Sequence, residues 1–457
     1  MLLKDNPITL LFFLFLLLGG GAVSGQGFTD FRDIRPKQNS PLSRFGLGDP
    51  LDRWHAAQAG FGGLSATYQN GYHLNLVNPA SLASLASTSF EVGLYARNST
   101  LEDNTGSANS WQGNLSYLAL GFPLRNPINL SLEELENSWN GGMAFQIAPT
   151  TLVGYDLRLV DVDPVTGTTS NNLRGTGGTY KFSWATAGRY RGISGGLSLN
   201  YNFGKLTNTR VVLFDSIPDA LASEFLEEFS VGGFNLGYGA QYGLDLMETN
   251  EEGERVPSGK RIVFGVNGQL GRTLETNANT FFRRFSPTRS LVVSDTLRFE
   301  EEQIGELDLP GEVTFGVAFH DLNRLYVGAE YSRSAYSNYR NEAKPEQLVD
   351  ASRFAVGVEY IPNATSYNRF WQRVRYRAGF RMEDDPRSVN GVQARRNGVS
   401  LGLGIPIRLP RQQISFLDFA VEYGKFGAPD VLDESYVQLT LGFSLNDNTW
   451  FFKRKLN

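Results

Sequence analysis

Cysteine is absent from the 457 residues, which removes disulfides, thiolate metal ligands, thiol nucleophiles and the acylated cysteine of a bacterial lipoprotein. Histidine is scarce: His55, His73 and His320 are the only three. None of them stands in an H-E-x-x-H motif, and no G-x-S-x-G elbow lies between a strand and a helix, so no enzyme, metal or cofactor is expected. A net charge of −5, spread along the chain, gives a nucleic-acid partner no electrostatic support. No sequence repeat of about 20–50 residues emerges, which argues against a propeller or solenoid.

Long apolar runs are missing with one exception, Ile8 to Val23, behind a short start that carries Lys4. About 16 apolar residues interrupted by Gly19, Gly20 and Gly21 are short for a helix crossing roughly 30 Å. The small residues Ala22, Ser24 and Gly25 invite cleavage near Gln26, so 1–25 reads as an export signal peptide. The remaining length suits two or three soluble domains or one large barrel, which grows by adding strands around its circumference.

What is present favours the barrel. The chain has Gly 50, Phe 32, Tyr 19 and Trp 6 at a mean hydropathy of −0.26, as expected when lipid-facing residues alternate with lumen-facing ones. From about residue 88 the dominant period is two. Over 234–246, Phe234, Leu236, Tyr238, Ala240, Tyr242, Leu244 and Leu246 alternate with small or polar residues. Such a run exceeds the usual soluble strand and matches the roughly 9–11 residues of a tilted membrane strand. Similar runs sit at 88–98, 112–123, 140–161 (bent at Pro149), 179–189, 197–203, 262–266, 313–319, 325–331, 354–360, 374–380, 399–407, 417–423 and 437–445. The predicted fold is all-β: a transmembrane antiparallel β-barrel of about 14 strands, in the outer membrane of a Gram-negative bacterium. Turns near Arg191, 321–323 and 410–412 are short, while 162–178, 206–232, 272–311 and 335–351 read as long polar outer loops. Region 26–87 lacks sustained alternation and is expected inside or below the barrel as a plug, with the barrel at 88–445 and a periplasmic tail at 446–457.

Three passages resemble the FadL (FadL/TodX-like) family of outer-membrane transporters of long-chain fatty acids and other hydrophobic compounds: Asn78-Pro79-Ala80-Ser81-Leu82, Leu309-Pro310-Gly311-Glu312-Val313-Thr314-Phe315-Gly316-Val317, and Tyr376-Arg377-Ala378-Gly379-Phe380-Arg381. The first is similar to the family's Asn-Pro-Ala motif in the plug, or hatch, that fills the lumen. By that resemblance Asn78, Pro79 and Ala80 belong to a plug that rearranges to let a hydrophobic ligand pass. The segments Ser40–Asp49 and Trp450–Lys455 resemble those of Bacteroidota outer-membrane proteins. In that phylum the family also includes PorV, an accessory protein of type IX secretion, so the resemblance leaves two functions open.

Arg373, Arg375, Arg377 and Arg381 share one face of a strand whose other face carries Val374, Tyr376, Ala378 and Phe380. Lipid on the apolar face sends the arginines into the lumen, because a cation at mid-bilayer costs about 2–4 kcal/mol. Glu330, Glu359 and Glu422 fall on polar faces likewise. Such arginines suit the anionic headgroup of a ligand, but an ion-pair network clamping plug to wall is the preferred reading. Glu300–Glu302 reads as a solvated outer loop, with calcium bridging to lipopolysaccharide the sharper alternative. Trp371, Tyr336, Tyr339 and Tyr436 read as interfacial girdle residues, and the Asn-X-Ser/Thr sites at Asn98, Asn114 and Asn363 carry no weight in a bacterial protein. The expected partners are outer-membrane lipid and lipopolysaccharide, with a hydrophobic ligand for an uptake channel or a protein of a secretion complex for an assembly barrel.

Overall fold

The computed structural model describes residues 38–103, 106–125, 139–164, 167–249, 253–286, 293–321, 324–389, 391–409, 413–428 and 432–447. The expected signal peptide, residues 26–37 of the expected plug and the tail beyond Asp447 lie outside the described residues.

Fourteen antiparallel strands form the wall: β1 Thr88–Asp103, β2 Gly106–Pro123, β3 Trp139–Asp163, β4 Gly167–Tyr190, β5 Ile193–Phe214, β6 Ala222–Thr249, β7 in two pieces Arg255–Gln269 and Arg272–Phe285, β8 in two pieces Val293–Leu309 and Glu312–Asp321, β9 Leu325–Ser334, β10 Ala351–Tyr360, β11 Arg375–Val389, β12 Val392–Arg408, β13 Ile414–Ala428 and β14 Leu432–Asp447. The sheet closes because β14 pairs with β1, from Asp447↔Thr88 to Asp433↔Glu102. Each alternating run of the sequence lies on one of these strands. The outward members remain uncovered: Leu401 is 62 % exposed while Ser400 before it is 1 % exposed. That pattern is inside-out for a soluble protein and correct for a wall whose solvent is lipid. No helix among the described residues is long and apolar enough to cross a membrane. The first and last strands meet at one rim, which is the periplasmic one in bacterial barrels.

The rims differ in height. β9 and β10 have 10 residues each, about what a tilted strand needs to cross the bilayer, whereas β6 has 28. The polar stretches 162–178, 206–232 and 272–311, expected as loops, are instead mostly strand: β3 to β8 run on above the bilayer as a tall sheet. The outer face there meets water and not lipid, so the apolar alternation that marks a membrane strand fades before the strand ends. The connection 335–350 is irregular apart from a short turn at Tyr336–Asn338 and two paired residues, Arg340–Asn341.

The wall also parts. β2 pairs with β3 only from Leu118↔Ile147 to Pro123↔Gly142. At Pro149, which has no N–H to donate, β3 shifts register against β4. Opposite Val153, Gly177 of β4 takes a φ of 113°, open to glycine at no steric cost. Above this point β3 leaves β2, and the N-terminal segment takes β2's place along it: Asp49 pairs with Leu152 and Pro50 with Thr151. The glycine-dense stretch 193–196 pairs without a break on both sides.

Candidate functional site

Residues 52–87 cross the lumen, with Phe61, Leu64, Ala66, Leu74 and Leu82 almost fully buried. The plug sits directly on the wall's backbone, at glycines. A methyl group at Gly142 would overlap the Leu82 carbonyl, at Gly196 the Pro79–Ala80 peptide, at Gly239 the Asn78 side chain, at Gly265 the Ala66 carbonyl, and at Gly357 and Gly379 the Phe61–Gly62 peptide. Six strands thus supply contacts that any larger residue would close.

Asn78 is the hinge pin of this docking. Its Oδ1 accepts from the Ala80 N–H at 3.1 Å and its Nδ2 donates to the Ala66 carbonyl at 2.6 Å. It caps the short helical turn Pro79–Ser84, with Pro79 at the first position, where its missing N–H costs nothing. The motif therefore joins two plug segments and seats them on β5 and β6.

The opposite half of the wall holds the plug by charge. Glu330 of β9 accepts the Ser65 and Ala66 N–H groups at 2.8 and 2.9 Å and pairs with Arg353 of β10 at 2.6 Å. Arg353 also donates to the Gly62 carbonyl at 2.5 Å. Arg381 of β11, 0 % exposed, bridges the plug's Asp52 at 2.8 Å to Glu422 of β13 at 2.6 Å, and Tyr436 donates to the same Glu422 oxygen at 2.7 Å. Trp54 of the plug faces the Arg353 and Arg381 guanidiniums at 4.5 and 4.8 Å from its ring. Burial alone would raise the Asp52 carboxyl, but the Arg381 and Arg396 guanidiniums hold it below the usual carboxylate range. Nearer the periplasm, Arg377 pairs with Glu359 at 2.6 Å and Asp418 at 2.5 Å, and Arg375 shares Glu359 at 3.0 Å. The plug histidines complete the set: His55 meets Glu91 of β1 at 2.6 Å and stacks on Tyr117, and His73 lies 3.6 Å from both Glu91 and Asp418.

Two cavities flank the plug. A cavity of about 220 Å³ lies on the outer side of the plug, lined by Trp54, Lys181, Leu274, Glu312, Tyr336 and Arg353 among others. A second, of about 290 Å³, lies on the periplasmic side, beneath Tyr68–Tyr72. They share no lining residue. The void at the parted wall measures about 30 Å³, enough for a water. Pockets that take drug-sized ligands run to about 300–1,000 Å³.

Arg375, Arg377 and Arg381 face the lumen with Glu330, Glu359 and Glu422, but Arg373 precedes β11 and donates to the Ser366 and Tyr367 carbonyls, both at 3.0 Å, in a turn. Val374, expected on the lipid face, is 0 % exposed, because the face alternation begins only where pairing begins, at Arg375. Trp371 stands exposed near the periplasmic rim, whereas Tyr436 and Tyr339 are buried and Tyr336 lines the outer cavity, so these three are not girdle residues. Glu300 pairs with Arg298 at 2.7 Å, and no group among the described residues is placed to hold a metal ion. Sequence reasoning missed Asp52, Trp54, Arg353, Glu91 and Asp418. For Glu91 and Asp418 the signal was there, since each is a carboxylate in the polar phase of an apolar strand.

Solved structures similar to the chain are outer-membrane channels and transporters. They include the toluene transporter TodX of Pseudomonas putida (TM-score 0.51, 14 % identity, 87 % of this chain and 99 % of that one). The toluene transporter TbuX of Ralstonia pickettii matches with TM-score 0.50 and 14 % identity over 87 % and 99 %, and a FadL homologue of Pseudomonas aeruginosa with 0.50 and 12 % over 86 % and 97 %. At such identities the likeness establishes the fold, a FadL-type outer-membrane barrel. No curated protein matches the chain by sequence. The family model BamG matches residues 35–457.

Proposed function

The chain belongs to the BamG family, and we propose that it is a sealed outer-membrane barrel that acts as an accessory or assembly partner of a secretion or surface complex, through its surface and not its lumen. The observation that carries this reading is the clamped plug. Moving it requires separating Arg381 from Asp52 and Arg353 from Gly62 and lifting plug backbone out of contact with the wall glycines. Breaking one buried ion pair costs about 3–5 kcal/mol when its partner stays behind. Passive transport has no energy source to set against several such losses. The tall outer sheet supports the same reading, since it offers a large water-facing surface that a pore does not need.

Uptake of hydrophobic small molecules, such as fatty acids, through a shifting plug is the second reading. It is favoured by the fold shared with TodX and TbuX, described as toluene transporters, and by the parting of β2 from β3 beside the bilayer. One pair of measurements separates the two. The protein in liposomes is assayed for entry of a fluorescent fatty acid, and protein purified from its own outer membrane is analysed by native mass spectrometry after lipid extraction. The accessory reading expects flux at the empty-liposome rate and a stoichiometric protein partner. Saturable flux with a bound apolar ligand and no partner would overturn it.

A further inference from the structure

Among the described residues the tall sheet ends in two upper edges built differently. Along the β8 edge the pairing with β7 shifts register three times, Glu302 adopts a φ of 53°, and Glu300, Glu301 and Glu302 stand in a row. Bulges and charge are the devices that keep an edge strand from accepting another. The β3 edge also carries charge, at Asp156, Arg158 and Asp161, but above Leu152 it has no bulge. From Leu152 to Asp163 it keeps unbroken register with β4, and its upper part shows Leu159, Val160 and Val162 at 56, 57 and 73 % exposure. Among the described residues nothing pairs with this edge above Asp156.

Directly below, the same edge already accepts an extended segment. The Leu51 N–H donates to the Thr150 carbonyl at 2.9 Å, the Ser40 N–H to the Gly154 carbonyl at 2.8 Å, the Gly154 N–H to Ser43 Oγ at 3.1 Å, and the Asp156 N–H to Asn39 Oδ1 at 3.0 Å. All the β3 groups used are on even-numbered residues. In an antiparallel ladder the backbone groups of alternate residues point to opposite neighbours. With the register unbroken, the N–H groups of Arg158, Val160 and Val162 also face the open side, while those of odd-numbered residues face β4.

We propose that the β3 edge from Leu157 to Val162 receives an extended, apolar segment of a partner polypeptide, which adds as the next strand and continues the pairing begun by residues 38–51. The inference rests on the accessory-barrel reading and names its contact surface. Main-chain hydrogen bonds would supply the affinity, and apolar side chains matched to Val160 and Val162 the selectivity.

Alternation makes the test specific. Amide hydrogen exchange is compared between protein purified with its native-membrane complex and the same protein refolded alone. Exchange at Arg158, Val160 and Val162 is expected to slow at least tenfold in the complex, with the odd-numbered amides unchanged. Val160→Pro removes one edge donor and no β3–β4 bond. It is expected to cut photo-cross-linking from a probe at Leu159 at least tenfold while the barrel stays folded by heat-modifiability on gels. A probe at Ile304 on the β8 edge serves as the control and is expected to give no partner cross-link. Equal exchange in both preparations, cross-linking undiminished by Val160→Pro, or cross-links to a second copy or to the chain's own residues before Gln38 would overturn the proposal. If a partner is captured from another surface, the accessory reading stands without this edge; if none is captured and liposomes take up fatty acid, both fall.

Discussion

The two halves of the barrel hold their contents by different physics. From β9 to β14 the strands are low, and the inner face grips the plug through buried charged side chains: Glu330 at the Ser65 and Ala66 N–H groups, Arg353 at the Gly62 carbonyl and Arg381 at Asp52. From β3 to β8 the strands are tall, and the inner face above the plug is apolar, with Tyr155, Leu206, Phe229, Leu274, Leu307 and Tyr339 in one buried cluster. A charge network has few good geometries, so it specifies one position of the plug at little net gain in stability. An apolar cluster is non-directional and stabilises in proportion to the area it buries. The first half locks a part in place, and the second keeps an extended sheet upright in water.

The largest blow to this contrast falls on the charged half. Arg381→Ala leaves Asp52 and Glu422 buried without their cation and is expected to cost about 3–5 kcal/mol, read by urea unfolding in detergent, together with rapid proteolysis within the plug. Leu307→Ala, in the apolar half and 0 % exposed, is expected to cost about 2–4 kcal/mol. It should speed amide exchange in the tall sheet and leave the plug resistant to protease, so plug cleavage equal to that of Arg381→Ala would erase the distinction. Asn78→Ala removes a cap and a bond between plug segments, for about 1–2 kcal/mol, with protease sensitivity appearing only at raised temperature. Acid should loosen the contact between Asp52 and Arg381. The Asp52 pKa lies below its unfolded value, so its contribution is fully present above about pH 4 and declines as the pH falls further. Plug proteolysis that began well above pH 4 would sink this assignment.

The alternating runs were legible because a lipid-facing wall imposes its period on every strand, and each run lies on a strand of the barrel. Polarity misled where water replaces lipid: Thr168–Arg174 pairs along β4, although its composition is that of a loop. Half of the clamp was legible as well. Parity on β11 pointed Arg375, Arg377 and Arg381 inward, and the same argument extended to Asp418 on β13 would have named a partner for Arg377. Asp52 and Trp54 had no such signal, since the plug has no period from which to read a face.

By itself the sequence determined that this chain is a strand-built membrane wall with an irregular N-terminal filling, because the alternation of apolar and polar residues is a local property that survives without knowledge of any partner. Only the tertiary structure decided which wall residues the filling meets, that the wall parts beside β3, and that among the described residues nothing pairs with the upper β3 edge. Those outcomes depend on which residues more than 300 positions apart meet, as Asp52 and Arg381 do, and on which strand edge finds no neighbour. No local pattern encodes either.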